Sequence, residues 1–142
     1  MQQSEAIVLA MFGTTVESAL RDLLAIRDAV QTAFPLTPVK MAFTSNQIRR
    51  SWHRRAADPA YLAEHPEISP DILQIQGILA TIANLQDQGF VRQVVQSTHV
   101  VPAEEFHDLA AYVRGLQSIR TMKPRWQPFQ AIALGRPLLG TY

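Results

Sequence analysis

Short unbroken apolar runs alternate along this chain with longer stretches in which apolar residues return at helical spacing. Ala6-Ile7-Val8-Leu9-Ala10-Met11-Phe12 is one such run, closed by Gly13, and it predicts a strand buried on both faces, the pattern of a parallel sheet. From Val16 to Phe34 the residues Leu20, Leu23, Leu24, Val30 and Phe34 mark one side of a helix that Pro35 ends. Val39 to Phe43 predicts a second strand, and Thr44-Ser45 caps a basic helix through about Arg55. A third helix opens with Ser69 as cap, Pro70 in the first turn and Asp71 against the dipole, and closes at Gly89. Val91 to Thr98 reads as the third strand. A fourth helix runs from Pro102 to about Arg120 with Glu104 and Glu105 in its first turn, and a Pro/Trp loop, Lys123 to Phe129, leads to a fourth strand, Ala131 to Leu134.

Strands that alternate with helices place the chain in the α/β class: a four-stranded parallel sheet flanked by helices, joined by right-handed crossovers. One domain is expected over 1–142, with 56–68, which holds Pro59 and Pro66, as an inserted loop. A fourth strand with no helix after it leaves one sheet face or edge less covered than this architecture usually allows. The expectation is a missing continuation or a partner that covers it.

Composition narrows the picture. A chain of 142 residues, 47% hydrophobic and 18% charged, buries enough apolar surface for one globular unit. A net charge of +1 gives no global field that would favour nucleic acid or a membrane, so anion binding must come from local clusters. The absence of cysteine excludes disulfides, thiolate catalysis and cysteine-ligated metal. Any metal chemistry falls to His, Asp or Glu. The start, Met-Gln-Gln-Ser-Glu, lacks the pattern of a signal peptide, and no apolar run approaches the roughly 20 residues of a membrane span. Cytoplasm is the expected location.

Ligands of open α/β sheets bind outside the carboxyl ends of the strands. Those ends carry Phe12-Gly13-Thr14-Thr15, Phe43-Thr44-Ser45, Ser97-Thr98-His99 and Gly135-Arg136-Pro137, which should converge on one rim. Each segment taken alone also reads as an ordinary turn or cap. Neither a Rossmann fingerprint nor a phosphate loop is present, which disfavours a nucleotide enzyme. His99 precedes Glu105 by six residues, so imidazole and carboxylate can meet across a strand-to-helix turn and exchange protons. The alternative is a histidine at a strand end and a glutamate that favours the helix dipole. Glu104 and His107 share a helix face as a candidate metal pair that lacks a second copy. Arg49-Arg50-Ser51-Trp52-His53-Arg54-Arg55 is the strongest charge cluster, either a solvated helix or a steering surface for a polyanion or nucleic-acid phosphates. His53 and His65 are expected to be solvated.

In order and spacing, Phe12-Gly13-Thr14, Ala42-Phe43-Thr44-Ser45 with Ile48-Arg49-Arg50, and Val95-Gln96-Ser97-Thr98-His99 leading to Glu104-Glu105-Phe106 resemble the anaerobic, early-insertion cobalt chelatases that act on sirohydrochlorin. Gly135-Arg136-Pro137-Leu138-Leu139-Gly140-Thr141 resembles the end of that family's first-half sheet. The resemblance implies a lyase-type metallochelatase of anaerobic cobalamin biosynthesis, and it identifies the chain with one of two similar α/β halves that face each other across a cleft. It implies Co²⁺ and sirohydrochlorin as substrates, no further cofactor, and no nucleic-acid or membrane partner. Glu105 would be the active-site acid/base, His99 a second catalytic group and candidate metal ligand, and Gly13, Thr14, Ser45 and Thr98 the lining of the tetrapyrrole pocket. Arg49 and Arg50 would meet the macrocycle's carboxylates. The family's metal-handling histidines belong to its second half and have no counterpart here. The chain is therefore expected to be partial or to work as a homodimer, with a non-catalytic tetrapyrrole- or metal-binding module as the alternative.

Overall fold

The computed structural model describes residues 5–98 and 104–135. Within them β1 (Glu5–Met11), β2 (Val39–Phe43), β3 (Arg92–Ser97) and β4 (Ala131–Leu134) form one parallel sheet in the order β2-β1-β3-β4. The expected α/β architecture is the one observed. β1 is a central strand, and Ala6 and Val8 to Met11 are all buried, as an unbroken apolar run requires.

Local chemistry accounts for most element boundaries. A 3₁₀ turn, Glu17–Ala19, leads into α1 (Leu20–Ala33), which stops before Pro35. Ser45 caps α2 (Asn46–Ala56) by accepting the Ile48 N–H at 3.3 Å, and His53, Arg54 and Arg55 lie at its carboxyl end, where the dipole favours positive charge. The segment 56–68, expected as a loop, contains a short helix, α3 (Pro59–Glu64). Asp58 caps it from in front of Pro59 by accepting the Ala60 N–H at 3.0 Å.

The single helix expected between Ser69 and Gly89 is two helices. α4 (Pro70–Leu73) starts at the expected cap, where Ser69 Oγ accepts the Asp71 N–H at 3.1 Å, but it ends after one turn. The backbone then runs along β2, where the Gln76 carbonyl accepts the Phe43 N–H at 3.0 Å, and α5 (Ile78–Asp87) begins after Gly77. Satisfying an edge strand's amide takes precedence over continuing the helix. Gly89, at φ +99°, closes the segment as expected. The last helix is α6 (Glu104–Gln117).

Two cores sandwich the sheet. Ala6, Val8 and Ala10 meet α5 and α6 through Ile78, Ile82, Leu109 and Val113, while Leu9 and Met11 meet α1, α2 and α4 through Leu20, Trp52 and Ile72. The helices that follow β1 and β3 thus lie on opposite faces, as right-handed crossovers require when one moves to β2 and the other to β4. Among the described residues the α1 side is covered only in part. Over β3 and β4 an apolar groove of about 490 Å³ is bordered by Phe34, Val94, Ala131 and Ala133, and Val94 is 48% exposed.

Candidate functional site

Connections leave β1 toward β2 and, by way of β2, toward β3 on its other side, so the strand order reverses between β1 and β3. A crevice forms at such a point in open α/β sheets. β1 exits there through Phe12-Gly13-Thr14 and β3 through Thr98, whose N–H donates to the Ala10 carbonyl at 3.0 Å. The exit of β2 is tied to the same loop: the Thr44 N–H donates to Met11 O at 2.7 Å, and the Ser45 N–H to Phe12 O at 3.2 Å. The Gly135 N–H joins β4 to β3 through Val95 O at 2.8 Å. Gly13, Thr14, Ser45 and Thr98 are thereby brought to one rim. His99, Arg136 and Pro137 lie outside the described residues.

Gly13 turns the chain at φ +102°, a conformation other residues rarely adopt. It also leaves no room for a side chain, since a Cβ would stand 2.7 Å from Phe43 Cδ2. The next residues are held from below by α2. The indole of Trp52, fully buried, donates from Nε1 to the Thr14 carbonyl at 2.8 Å, and Arg55 Nη1 donates to the Thr15 carbonyl at 2.8 Å. The Arg55 guanidinium stands 4.6 Å from the Trp52 ring centre and 5.1 Å from that of Tyr61, which comes from α3. Glu17 completes the group, accepting the Tyr61 hydroxyl at 3.0 Å and lying 3.8 Å from Arg55.

These contacts move two ionisation equilibria. The Glu17 carboxyl is held below its ordinary value, first by its own backbone N–H, then by the Tyr61 hydroxyl, with Arg55 adding to both. Burial raises the Tyr61 hydroxyl, and its bond to Glu17 raises it further. Of the two histidines expected to be solvated, His53 is exposed, with Nε2 3.1 Å from the Ile75 carbonyl, whereas His65 is half-buried and stacks on Tyr61 at 4.3 Å between ring centres. The basic cluster is thus largely engaged within the protein. Arg54 bonds Ser51, Arg55 clamps the β1 exit loop, and Arg49 bonds Asn46.

Arg49 and Glu105 line one small cavity of about 50 Å³, together with Thr44, Asn46, Asp108 and Tyr112. Glu105 is half-buried in the first turn of α6. Arg50, one step of about 100° farther round α2, is exposed and does not line this cavity. Among the described residues no group of three His, Asp or Glu side chains is placed to hold a metal ion, and no helix is long and apolar enough to cross a membrane. Glu104 and His107 both stand exposed on α6.

Sequence reasoning missed Trp52, Arg55 and Tyr61 as supports of the rim, and Asp108 and Tyr112 as cavity walls. The i, i+3 spacing of Trp52 and Arg55 was the available signal, because it puts ring and guanidinium on one side of α2. Asp108 stands likewise three residues after Glu105.

A rim at the reversal of a parallel sheet, with a cation and a carboxylate facing one cavity, is a setting for small-molecule chemistry, and comparison with known proteins gives it a lineage. A curated protein of Nitratidesulfovibrio vulgaris named sirohydrochlorin cobaltochelatase CbiKC is 28% identical over 135 residues, covering 95% of this chain. The chain spans 40% of the length of that relative. The family model of the cobalt chelatases (CbiK) matches residues 5–142, and the chain belongs to that family.

Proposed function

We propose that the protein takes part in inserting Co²⁺ into sirohydrochlorin, as a lyase-type metallochelatase of anaerobic cobalamin biosynthesis. The observation that carries this reading is the shared cavity of Arg49 and Glu105 at the rim of a chain of the cobalt chelatase family. The name of the 28% identical relative supports the choice of macrocycle and metal. Insertion replaces two pyrrole N–H protons by one Co²⁺, so the reaction is balanced in charge and needs no nucleotide or other cofactor. What it needs from protein is a surface for a polycarboxylate macrocycle and a base for the departing protons.

In this reading Gly13, Thr14, Ser45 and Thr98 line the macrocycle's edge with backbone and hydroxyl groups. Arg49, with Arg50 outside it, attracts the carboxylates. Glu105, half-buried at the start of α6 and facing the cavity, accepts a pyrrole proton. His99 would be a second proton acceptor and a nitrogen donor for the incoming metal. The cytoplasm is the proposed location.

The test mixes the purified protein with sirohydrochlorin and Co²⁺ and follows the absorbance change of insertion against a protein-free control. Acceleration is the expected result, and Glu105→Gln should slow it at least about tenfold while leaving macrocycle affinity within about twofold. Binding without acceleration would assign the chain to a non-catalytic tetrapyrrole module. Failure to bind would sink the reading altogether.

A further inference from the structure

Arg49 differs from the other arginines of its helix. Arg54 bonds within α2 and Arg55 reaches the β1 exit loop, but Arg49 lies across the turn that starts α5. A Cβ on Gly77 would stand 2.6 Å from Arg49 Nη1, 2.8 Å from Cζ and 3.2 Å from Nη2. Three such short distances put the guanidinium broadside on the glycine, in the space a side chain would fill. Gly77 does not owe its place to backbone conformation, because φ −81° and ψ 179° suit any residue. What it supplies is room.

The place given to the guanidinium is electrostatically uphill. Gly77 is the N-cap of α5, whose first turn, Ile78-Leu79-Ala80, contains no carboxylate, so a cation sits at the positive end of a helix. Arg49 Nε is buried without a partner, and among the described residues no carboxylate comes within ion-pair distance of Arg49. Asn46 accepts one of its other N–H groups. Glu105 and Asp108 line the same cavity without forming an ion pair with Arg49, so the cation, fixed by packing, is left open to an anion that enters the cavity.

We propose that Gly77 is a positioning residue: by having no side chain it admits the Arg49 guanidinium to the amino end of α5 and fixes it at the rim, charged and unpaired, for a carboxylate of the substrate. The choice of carboxylate rests on the tetrapyrrole reading above. The positioning itself does not. Neither the family resemblance nor the sequence pattern assigns Gly77 a role.

Gly77→Ala is the informative variant, because the added methyl is compatible with the backbone and meets only the end of a flexible side chain. Two measurements decide the matter. The first uses the ligand-free protein and follows the Arg49 Nε–H by ¹⁵N NMR, assigned by its loss in Arg49→Lys. The wild-type proton should exchange slowly with solvent, and Gly77→Ala should speed that exchange by about tenfold or more, with the thermal midpoint nearly unchanged. The second titrates sirohydrochlorin into wild type, Gly77→Ala, Arg49→Ala and the double variant. Each single change should weaken binding by about tenfold or more, and the double variant should be no weaker than Arg49→Ala alone, within about twofold. Unchanged Nε–H exchange in Gly77→Ala overturns the proposal, as do fully additive losses in the double variant. If the wild-type protein binds no sirohydrochlorin, the tetrapyrrole reading fails, and the exchange measurement alone then upholds or overturns the positioning role.

Discussion

Trp52 joins stability to the site within one side chain. Its ring is fully buried among Leu9, Met11, Phe43 and Ile72, and its one polar atom holds the Thr14 carbonyl at 2.8 Å. Trp52→Phe removes both the hydrogen bond and part of the packed volume. A loss of about 1–3 kcal/mol is expected, read as a lower denaturant midpoint at unchanged m-value. The same variant should weaken macrocycle binding, because the Gly13-Thr14 exit loses its support. At this scale the sequence was informative about residue types and less so about partners. Ser45 and Ser69 act as caps where caps were expected, since capping is decided within a few residues. The run from Arg49 to Arg55 looks uniform in one dimension. Two of its arginines are placed by elements from far apart in the chain, Arg55 by α3 and the β1 exit loop and Arg49 by the turn that starts α5.

Among the elements, α2 and α3 behave as a brace for the β1 exit. Glu17, Arg55 and Tyr61 tie the loop, the basic helix and the short helix into one group. Because the Glu17 carboxyl is held below its ordinary value, its contribution to stability is fully present above that value, near 4.5. It is lost as pH falls through the lower value of the folded state. Denaturation midpoints measured from pH 6 to pH 3 should therefore fall less steeply in Glu17→Gln than in wild type, with the difference confined to the acid end. A parallel decline over the whole range would refute the role given to Glu17. The sequence marked 56–68 as an interruption and missed its helix, because Asp58-Pro59 is as good a helix start as it is a turn. It likewise read through the break between α4 and α5. Ile72, Ile75, Ile78 and Ile82 keep near-helical spacing across it, and only the unpaired edge of β2 explains why the backbone leaves the helix there.

For the whole molecule, the order of the strands was legible because β1 and β4 are largely apolar runs, β2 is interrupted only by Lys40, and β3 centres on Val94-Val95. β2 and β4 begin and end where the pattern places them. The rim followed from topology, since a reversal of strand order needs only the sequence of connections and their handedness. That Arg49, Glu105 and Asp108 line one cavity was out of reach of any local pattern, because it brings α2 and α6 together across the carboxyl ends of the strands.

The partly bare α1 side of the sheet has a thermodynamic consequence. Val94, Phe34 and the alanines of β4 are exposed among the described residues, so unfolding uncovers less new apolar surface than it does for a sheet clad on both sides. At about 0.45 cal/mol/K per Å² of apolar surface, calorimetry should place the heat capacity of unfolding toward the lower end of the usual range of about 12–15 cal/mol/K per residue. A value above that range would show that the groove is dry in solution. With a depressed heat capacity the stability curve is flatter, and the protein is expected to lose stability more gradually on heating and on cooling than other proteins of its length.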